Sequence, residues 1–350
     1  MPALRIMGWA RAAFALLRAR IALAGLLCCA MLTSAEAFYE TPGWRADDHL
    51  AAFSVFRRFC ETGPVAPALG AVCDEALGSL IETPFAARRF FEQRFEPRTL
   101  PETGLLTAYY EPEVEASRTQ SAAFPAPLYR LPPGGPPYPD RPAVMAGALA
   151  GRELELVFLK DPVDAFFIHV QGSARLRLED GTVMRVGFAG KSGHPYTSIG
   201  RVLVERGALT LEEATMTGIR AWLAANPDER DAVLAENRSF IFFREIEGLD
   251  AGLGPIGAAG RPLTPGRSIA VDPEVVGYGF PVFLETGGAF PGSQTALQRL
   301  TLAEDTGSAI RGPARADLFL GSGAAAGGLA GDVRLPLRMT VLYPRAGVQP

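Results

Sequence analysis

The sequence predicts a mainly β protein with a helical segment in front and a shorter helical stretch in its middle. Glycine and proline, 38 and 29 of the 350 residues, are spread through the chain rather than repeated. Between them lie many short Val/Ile/Leu/Phe runs, a texture that favours turn-linked strands over a helical bundle. With 48% hydrophobic residues the chain can bury a sizeable core, and its length suits about two domains. The formal charge is −4, and no basic block stands out, which argues against nucleic acid as a partner. Three histidines and four cysteines are unclustered, so no metal-ligand spacing is present and no metal or other cofactor is expected.

Residues 1–37 are expected to be a leader outside the fold. Arg5, Arg11, Arg18 and Arg20 form a basic start, Ile21 to Leu32 is an uncharged apolar run, and Ala35-Glu36-Ala37 is a small-x-small cleavage pattern. The run is shorter than the ~20 residues that span a bilayer. Cys28 and Cys29 lie within it, but neither has the flanking residues of a lipid-attachment motif, so export to the periplasm with cleavage is favoured over a lipid anchor. Cys60 and Cys73 would then remain in an oxidising compartment, where two cysteines at this spacing read as a disulfide; two buried thiols are the alternative.

From Asp47 to about Pro97 the pattern is helical, with Thr83-Pro84 as a cap followed by proline at the first helical position. Leu105 to Tyr110 then reads as a strand, and Ala123 to Pro142 as a proline-rich loop. Leu154 to Leu159 and Ala165 to Gln171 read as strands. Asp180-Gly181 marks a hairpin between Arg175–Leu178 and Val183–Phe188. Three helices follow: Ser198 to Arg206 before Gly207, one opened by a Thr210/Glu213 capping box and running through Ala225, and Asp228 to Glu236. Strands return at Ser239–Glu245, Ser268–Val271, Pro281–Thr286, Arg299–Glu304, Ala316–Leu320 and Arg338–Tyr343. This order suits a barrel closed by early and late strands around an inserted middle domain.

No nucleophile elbow, phosphate loop or His-Glu-x-x-His motif is present. Acidic residues beside strands stand out instead: Asp272, Glu304-Asp305 and Asp317, near Gly307 and Gly312. Carboxyls in a cleft are what glycoside cleavage needs, although each alone reads equally as a turn cap. The segment FAGKSGHPYTSIG, Phe188 to Gly200 with Ser198 near its end, suggests a helix N-terminus facing a polar ligand. Tyr109-Tyr110 reads either as a sugar-stacking platform or as core aromatics, and His169 and His194 as structural histidines or as site residues.

Together, LTAYYEP from Leu106, FFIHVQGSARLRL, FAGKSGHPYTSIGRVLVERG, NRSFIFFRE, GPIGAAGRPLTPGRSIAVDP and AEDTGSAIRGPARADLFLGSG resemble the membrane-bound lytic murein transglycosylase A family. The resemblance is collinear from about Phe90 to Pro344. It implies a double-psi β-barrel domain, an inserted second small β-barrel-like domain, and a groove between them for a glycan strand. The boundaries expected are 1–37 leader, 38–122 helical segment and first part of the barrel, 123–238 inserted domain, and 239–350 second part of the barrel with a three-aspartate region. Asp317 matches the family's catalytic acid, with Asp305 supporting it and Asp272 structural. Thr107, Tyr109, Tyr110, Gln171, Ser173 and Lys191 fall in the blocks implied to bind substrate.

The implied reaction cleaves the bond between N-acetylmuramic acid and N-acetylglucosamine in peptidoglycan. Asp317 donates a proton to the glycosidic oxygen, then accepts one from the muramyl C6 hydroxyl as a 1,6-anhydro ring closes. The implied partner is the glycan strand; cell-wall synthesis or division proteins and outer-membrane association are compatible with it. Two rivals stand beside this reading: an inverting hydrolase using Asp305 and Asp317, and a non-catalytic glycan-binding module.

Overall fold

The computed structural model describes residues 38–345, so the leader reading, with Cys28 and Cys29, lies outside the described residues. The helical front consists of α1 (His49–Glu61), α2 (Gly70–Gly78) and α3 (Pro84–Arg94). Asp48 caps α1 by accepting from Ala51 N at 3.0 Å, and Thr83 caps α3 by accepting from Ala86 N at 3.2 Å. Their shared core is phenylalanine-rich: Phe53, Phe56, Phe59, Phe90, Phe91 and Phe95 pack together and onto Phe283, Leu300 and Leu342 of the barrel described below. Cys60 and Cys73 are joined as a disulfide that ties α1 to α2.

The chain then enters a first sheet through β1 (Phe95–Thr99) and β2 (Gly104–Glu111). It leaves for a second sheet made of β3 (Glu113–Ser117), β4 (Ala126–Tyr129), β5 (Glu155–Leu159), β6 (Ser173–Leu178), β7 (Val183–Lys191) and β8 (Ile241–Ile246). Interspersed are α4 (Arg141–Met145), α5 (Pro162–Gln171), α6 (Ile199–Glu205), α7 (Met216–Ala225) and α8 (Pro227–Ala235). It returns through β9 (Ser268–Val271), β10 (Pro281–Ala289), β11 (Ala296–Asp305), β12 (Arg315–Ser322), α9 (Gly323–Ala330) and β13 (Arg334–Pro344).

The first sheet runs β1-β13-β10-β11-β9-β12-β2, and β13 also pairs with β2, which closes it into a ring. Leu106, Ile269, Val282, Leu284, Leu318 and Met339 fill its inside. The second sheet runs β4-β5-β3-β6-β7-β8, and a bridge from Arg130 to Phe243 draws its two edges together. All six of its strands lie between Glu113 and Ile246, so β3 and β8 fall outside the 123–238 boundaries read from the sequence. No helix among the described residues is long and apolar enough to cross a membrane.

One segment read as a strand is a helix. Residues 165–171 belong to α5, which opens on Asp161, accepting from Val163 N at 2.8 Å, and on Pro162, and ends on Gly172 at φ 79°. Val163, Ala165, Phe166, Phe167 and Ile168 are all buried, because α5 sits between the second sheet and the helices α6 to α8. A helix buried on nearly every side shows an apolar run with no polar face, and such a run looks like a strand. The Thr210/Glu213 box does form, with Thr210 N to Glu213 Oε2 at 2.9 Å, but it closes a single turn. Helix α7 starts later, capped by Thr215, which accepts from Gly218 N at 3.1 Å. The proline-rich loop contains β4, an edge strand, where Pro127 is tolerated.

Candidate active site

Strand register assembles the site before any side chain is considered. Asp305 of β11 pairs with Ala270 of β9, Ala270 pairs with Asp317 of β12, and Asp317 pairs with Thr107 of β2. These four residues form one row across the outside of the barrel, with small Ala270 between the two carboxyls. Residues two apart on a strand share a face. Phe319 and Tyr109 therefore join the outward row, and Ala270, Tyr109, Phe319, Leu263 and Ile310 form an apolar floor beneath it. Ala316 and Leu318 point the other way, into the barrel core.

Above this row lies a cavity of about 590 Å³. Tyr109, Asp305, Asp317 and Arg315 line it from the first sheet, and His169, Gln171, Ser173, Lys191 and Arg244 from the second unit. Thr107 Oγ1 donates to Asp317 Oδ1 at 2.5 Å. Arg315 Nη2 donates to the same Thr107 oxygen at 2.8 Å. Because a guanidinium only donates, the threonine proton is directed toward Asp317. Oδ1 thereby acts as an acceptor, and a proton on the carboxyl belongs on Oδ2. Burial pushes the Asp317 carboxyl above its ordinary range; the Thr107 hydroxyl and the Arg315 charge oppose this, and Asp305 adds to the rise.

Asp305 is held differently. Tyr109 donates its hydroxyl to Oδ2 at 2.7 Å, and Ala258 N donates to Oδ1 at 2.8 Å, so both oxygens are engaged. Burial raises this carboxyl too, against those hydrogen bonds. The loop that supplies Ala258 comes close at Gly257, where a Cβ would stand 2.7 Å from the Glu304 carbonyl oxygen. Asp272 lies off the cavity. It accepts from Gly312 N at 2.8 Å, Glu274 N at 3.2 Å and Arg311 Nη1 at 3.3 Å, and the Gly312 N–H leads in holding it below the ordinary carboxylate range.

Of the residues expected to bind substrate, Tyr109, Gln171, Ser173 and Lys191 line the cavity. Gln171 is fixed by accepting from Tyr110 N at 3.1 Å. Thr107 does not line the cavity and reaches its chemistry through Asp317 and Arg315. Tyr110, on the opposite face of β2 from Tyr109, packs away from the cavity against α9, where a Cβ at Gly327 would stand 2.7 Å from its ring. Within FAGKSGHPYTSIG, Lys191 and Tyr196 line the cavity, whereas Ser198 caps α6 and His194 bonds the Tyr138 carbonyl.

Sequence reasoning gave no role to Arg315, Arg141 or Tyr196. The Arg-x-Asp spacing of Arg315 and Asp317 was the available signal, since it puts both on one face of a strand. Arg141 had none. It is buried, bonds the Asn237 and Ser239 carbonyls, both at 2.9 Å, and donates to His169 Nδ1 at 3.0 Å. Burial pushes Arg141 down to about 10 and holds His169 well below its ordinary value, so the imidazole is neutral with its proton on Nε2.

The fold and this cavity define a two-sheet protein with a carboxyl raised by burial on the floor of a cleft. Comparison with known proteins gives the family. Residues 105–244 match the MltA specific insert domain, and residues 267–343 match the 3D domain. The chain is 35% identical over 239 residues to membrane-bound lytic murein transglycosylase A of Vibrio cholerae, a match covering 66% of this chain and 62% of that relative, less than two thirds of its length. Among solved structures, the membrane-bound lytic murein transglycosylase from Agrobacterium tumefaciens superposes with a TM-score of 0.83 at 38% identity, over 88% of this chain and 96% of that one. E. coli MltA with bound chitohexaose superposes with a TM-score of 0.70 at 27% identity, over 85% of this chain and 90% of that one. The chain belongs to the membrane-bound lytic murein transglycosylase A family.

Proposed function

We propose that this protein is a lytic murein transglycosylase that cleaves the MurNAc–GlcNAc β-1,4 bond of peptidoglycan and leaves 1,6-anhydro-MurNAc ends. The observation that carries the reading is Asp317. It is a carboxyl raised by burial, it lines the cavity, and its one side-chain hydrogen bond among the described residues is the Thr107 hydroxyl. With Oδ1 occupied by Thr107, the proton on Oδ2 is the one given to the glycosidic oxygen. The ionised carboxylate then takes the proton of the muramyl C6 hydroxyl, whose attack on C1 closes the ring. No water enters, and the intramolecular attack gains a high effective molarity. Thr107 stabilises the carboxylate between the two steps, so the same group can lose and regain a proton.

Asp305 supports rather than reacts. Both of its oxygens already accept hydrogen bonds, which leaves it poorly placed to activate a water as the second carboxylate of an inverting hydrolase. Tyr109, Gln171 and Ser173 are proposed to contact the sugars, a reading supported by a related protein that holds chitohexaose, and Lys191 is proposed to contact the peptidoglycan substrate from the exposed side of the cavity. Asp272 is proposed as structural. The parallel pairs β9–β11 and β2–β12 within the closed ring support a double-psi barrel. We read the chain as a 1–37 leader, a helical front and first barrel part through β2, an insert built on the second sheet from β3 to β8, and a second barrel part from β9 onward, acting in the periplasm after export.

Product analysis tests the reaction. Purified sacculi incubated with the protein should release anhydro-muropeptides; reducing ends in their place would make the enzyme a hydrolase, and no release would leave a binding module.

A further inference from the structure

The strands of the second sheet carry five cations: Arg175, Arg177, Arg185, Lys191 and Arg244. Three are paired with carboxylates. Arg175 and Arg185 both hold Glu111, at 2.8 and 2.9 Å, and Arg177 holds Glu113 at 2.5 Å. Lys191 and Arg244 have no acidic partner among the described residues, and they are the two that line the cavity. Both are exposed. Beside them, Phe188 lines the same mouth with its side chain half exposed.

The saccharide backbone of peptidoglycan gives such cations little to pair with, because its amino sugars are acetylated and the lactyl group is amide-linked where a peptide is attached. The charge of the polymer lies in the carboxylates of its stem peptides. We propose that Lys191 and Arg244 form a subsite for stem-peptide carboxylates, so that this protein prefers peptide-bearing strands over stripped glycan. The inference rests on the transglycosylase reading of the cavity. A free lactyl carboxylate, left when the peptide is removed, shares the same chemistry. The exposure of the two cations favours the peptide, which branches away from the sugar chain.

The test compares three substrates: peptide-bearing glycan strands, strands freed of peptide by an amidase, and chitooligosaccharide, which carries no carboxylate. Binding is measured in an Asp317→Asn background, and kcat/KM in the active enzyme. The parent should prefer peptide-bearing strands, with the preference falling as salt is raised. Lys191→Gln with Arg244→Gln should erase roughly three- to ten-fold of that preference, as expected for two partly exposed ion pairs. Lys191→Arg with Arg244→Lys should keep it. Equal losses on all three substrates would overturn the subsite in favour of general glycan binding or misfolding. A loss on stripped strands as large as on peptide-bearing ones, with chitooligosaccharide spared, would assign the cations to the lactyl carboxylate and overturn the peptide assignment. An unchanged preference would leave the cations without a role. Reducing ends in place of anhydro ends would defeat the transglycosylase reading while the three-substrate comparison still stands.

Discussion

At the floor of the cavity Asp317 accepts from a single neighbour, the Thr107 hydroxyl; at the turn after β9, Asp272 accepts from two backbone N–H groups and from Arg311. Both aspartates lie at the strands of one barrel. Burial dominates at Asp317 and raises its pKa, whereas backbone donors dominate at Asp272 and lower it. The contrast teaches that burial and the donors facing a carboxyl are weighed against each other: at Asp305, as at Asp317, burial wins, and at Asp272 the donors do. Several fixed N–H groups make a staple that stays ionised. A buried carboxyl with one hydroxyl donor is raised instead, the direction that the proposed acid role of Asp317 needs.

The largest break in this comparison is Asp317→Asn. It removes the proton donor while Thr107 keeps an acceptor of the same shape. General acid–base assistance is worth about 10²–10⁴-fold, so release of anhydro-muropeptides should fall by at least that much while sedimentation with sacculi persists. Near-normal turnover would remove Asp317 from its role. The same variant should also melt higher than the parent above the ordinary carboxylate range. A group raised in the folded state contributes stability fully below its unfolded pKa and loses it as pH rises through the folded one. The gain should therefore vanish at acidic pH.

Next in size is Thr107→Val, which leaves Asp317 without its donor. Loss of a hydrogen bond to a charged group is worth about 10- to 100-fold in rate. Because Thr107 lowers the Asp317 pKa, the alkaline limb of the pH–rate profile should move to higher pH, and Thr107→Ser should restore both rate and limb. A lower rate with an unmoved profile would make Thr107 a packing residue. Asp305→Asn should cost less, about five-fold, since an amide can still accept from one of its two donors. A loss greater than that of Asp317→Asn would move the acid to Asp305.

The parts of this arrangement that are local in sequence were legible there. Thr83-Pro84 and Ser198 announce α3 and α6, Asp180-Gly181 turns the β6–β7 hairpin with Gly181 at φ 82°, and Ser268–Val271 is β9 as read. What sequence reasoning missed is set by packing or by register. Helix α5 hides its period because it is buried on nearly all sides, although Asp161-Pro162 and Gly172 mark its ends. The eight residues of α9 are glycine- and alanine-rich, which reads as a loop until Tyr110 is seen lying on Gly327. Tyr109 and Tyr110 look alike in sequence; only the alternation of β2 sends one to the cavity and the other to α9. The Thr107–Asp317 contact joins the second strand to the twelfth, so only the parallel pairing of β2 with β12 reveals it.

The smallest effect sharpens the comparison from the other side. Asp272→Asn lies off the cavity, so turnover on sacculi should stay within about two-fold of the parent, as for substitutions away from the reacting groups. Its cost should be to the fold. A carboxyl lowered in the folded state contributes stability above its unfolded pKa and loses it as pH falls through the folded one. The amide keeps an oxygen for the Gly312 N–H but gives up the negative charge that Gly312 N–H, Glu274 N–H and Arg311 face together. Melting temperature should therefore drop at neutral pH, and the gap to the parent should close as the buffer is taken below the carboxylate range. This is the reverse of the pattern expected for Asp317→Asn. Thermal melts of the two variants across the same pH series would read both at once. A gap at Asp272 that persists unchanged into acid would mean that the carboxylate charge is not what holds this turn, and the contrast between the two aspartates would fall with it.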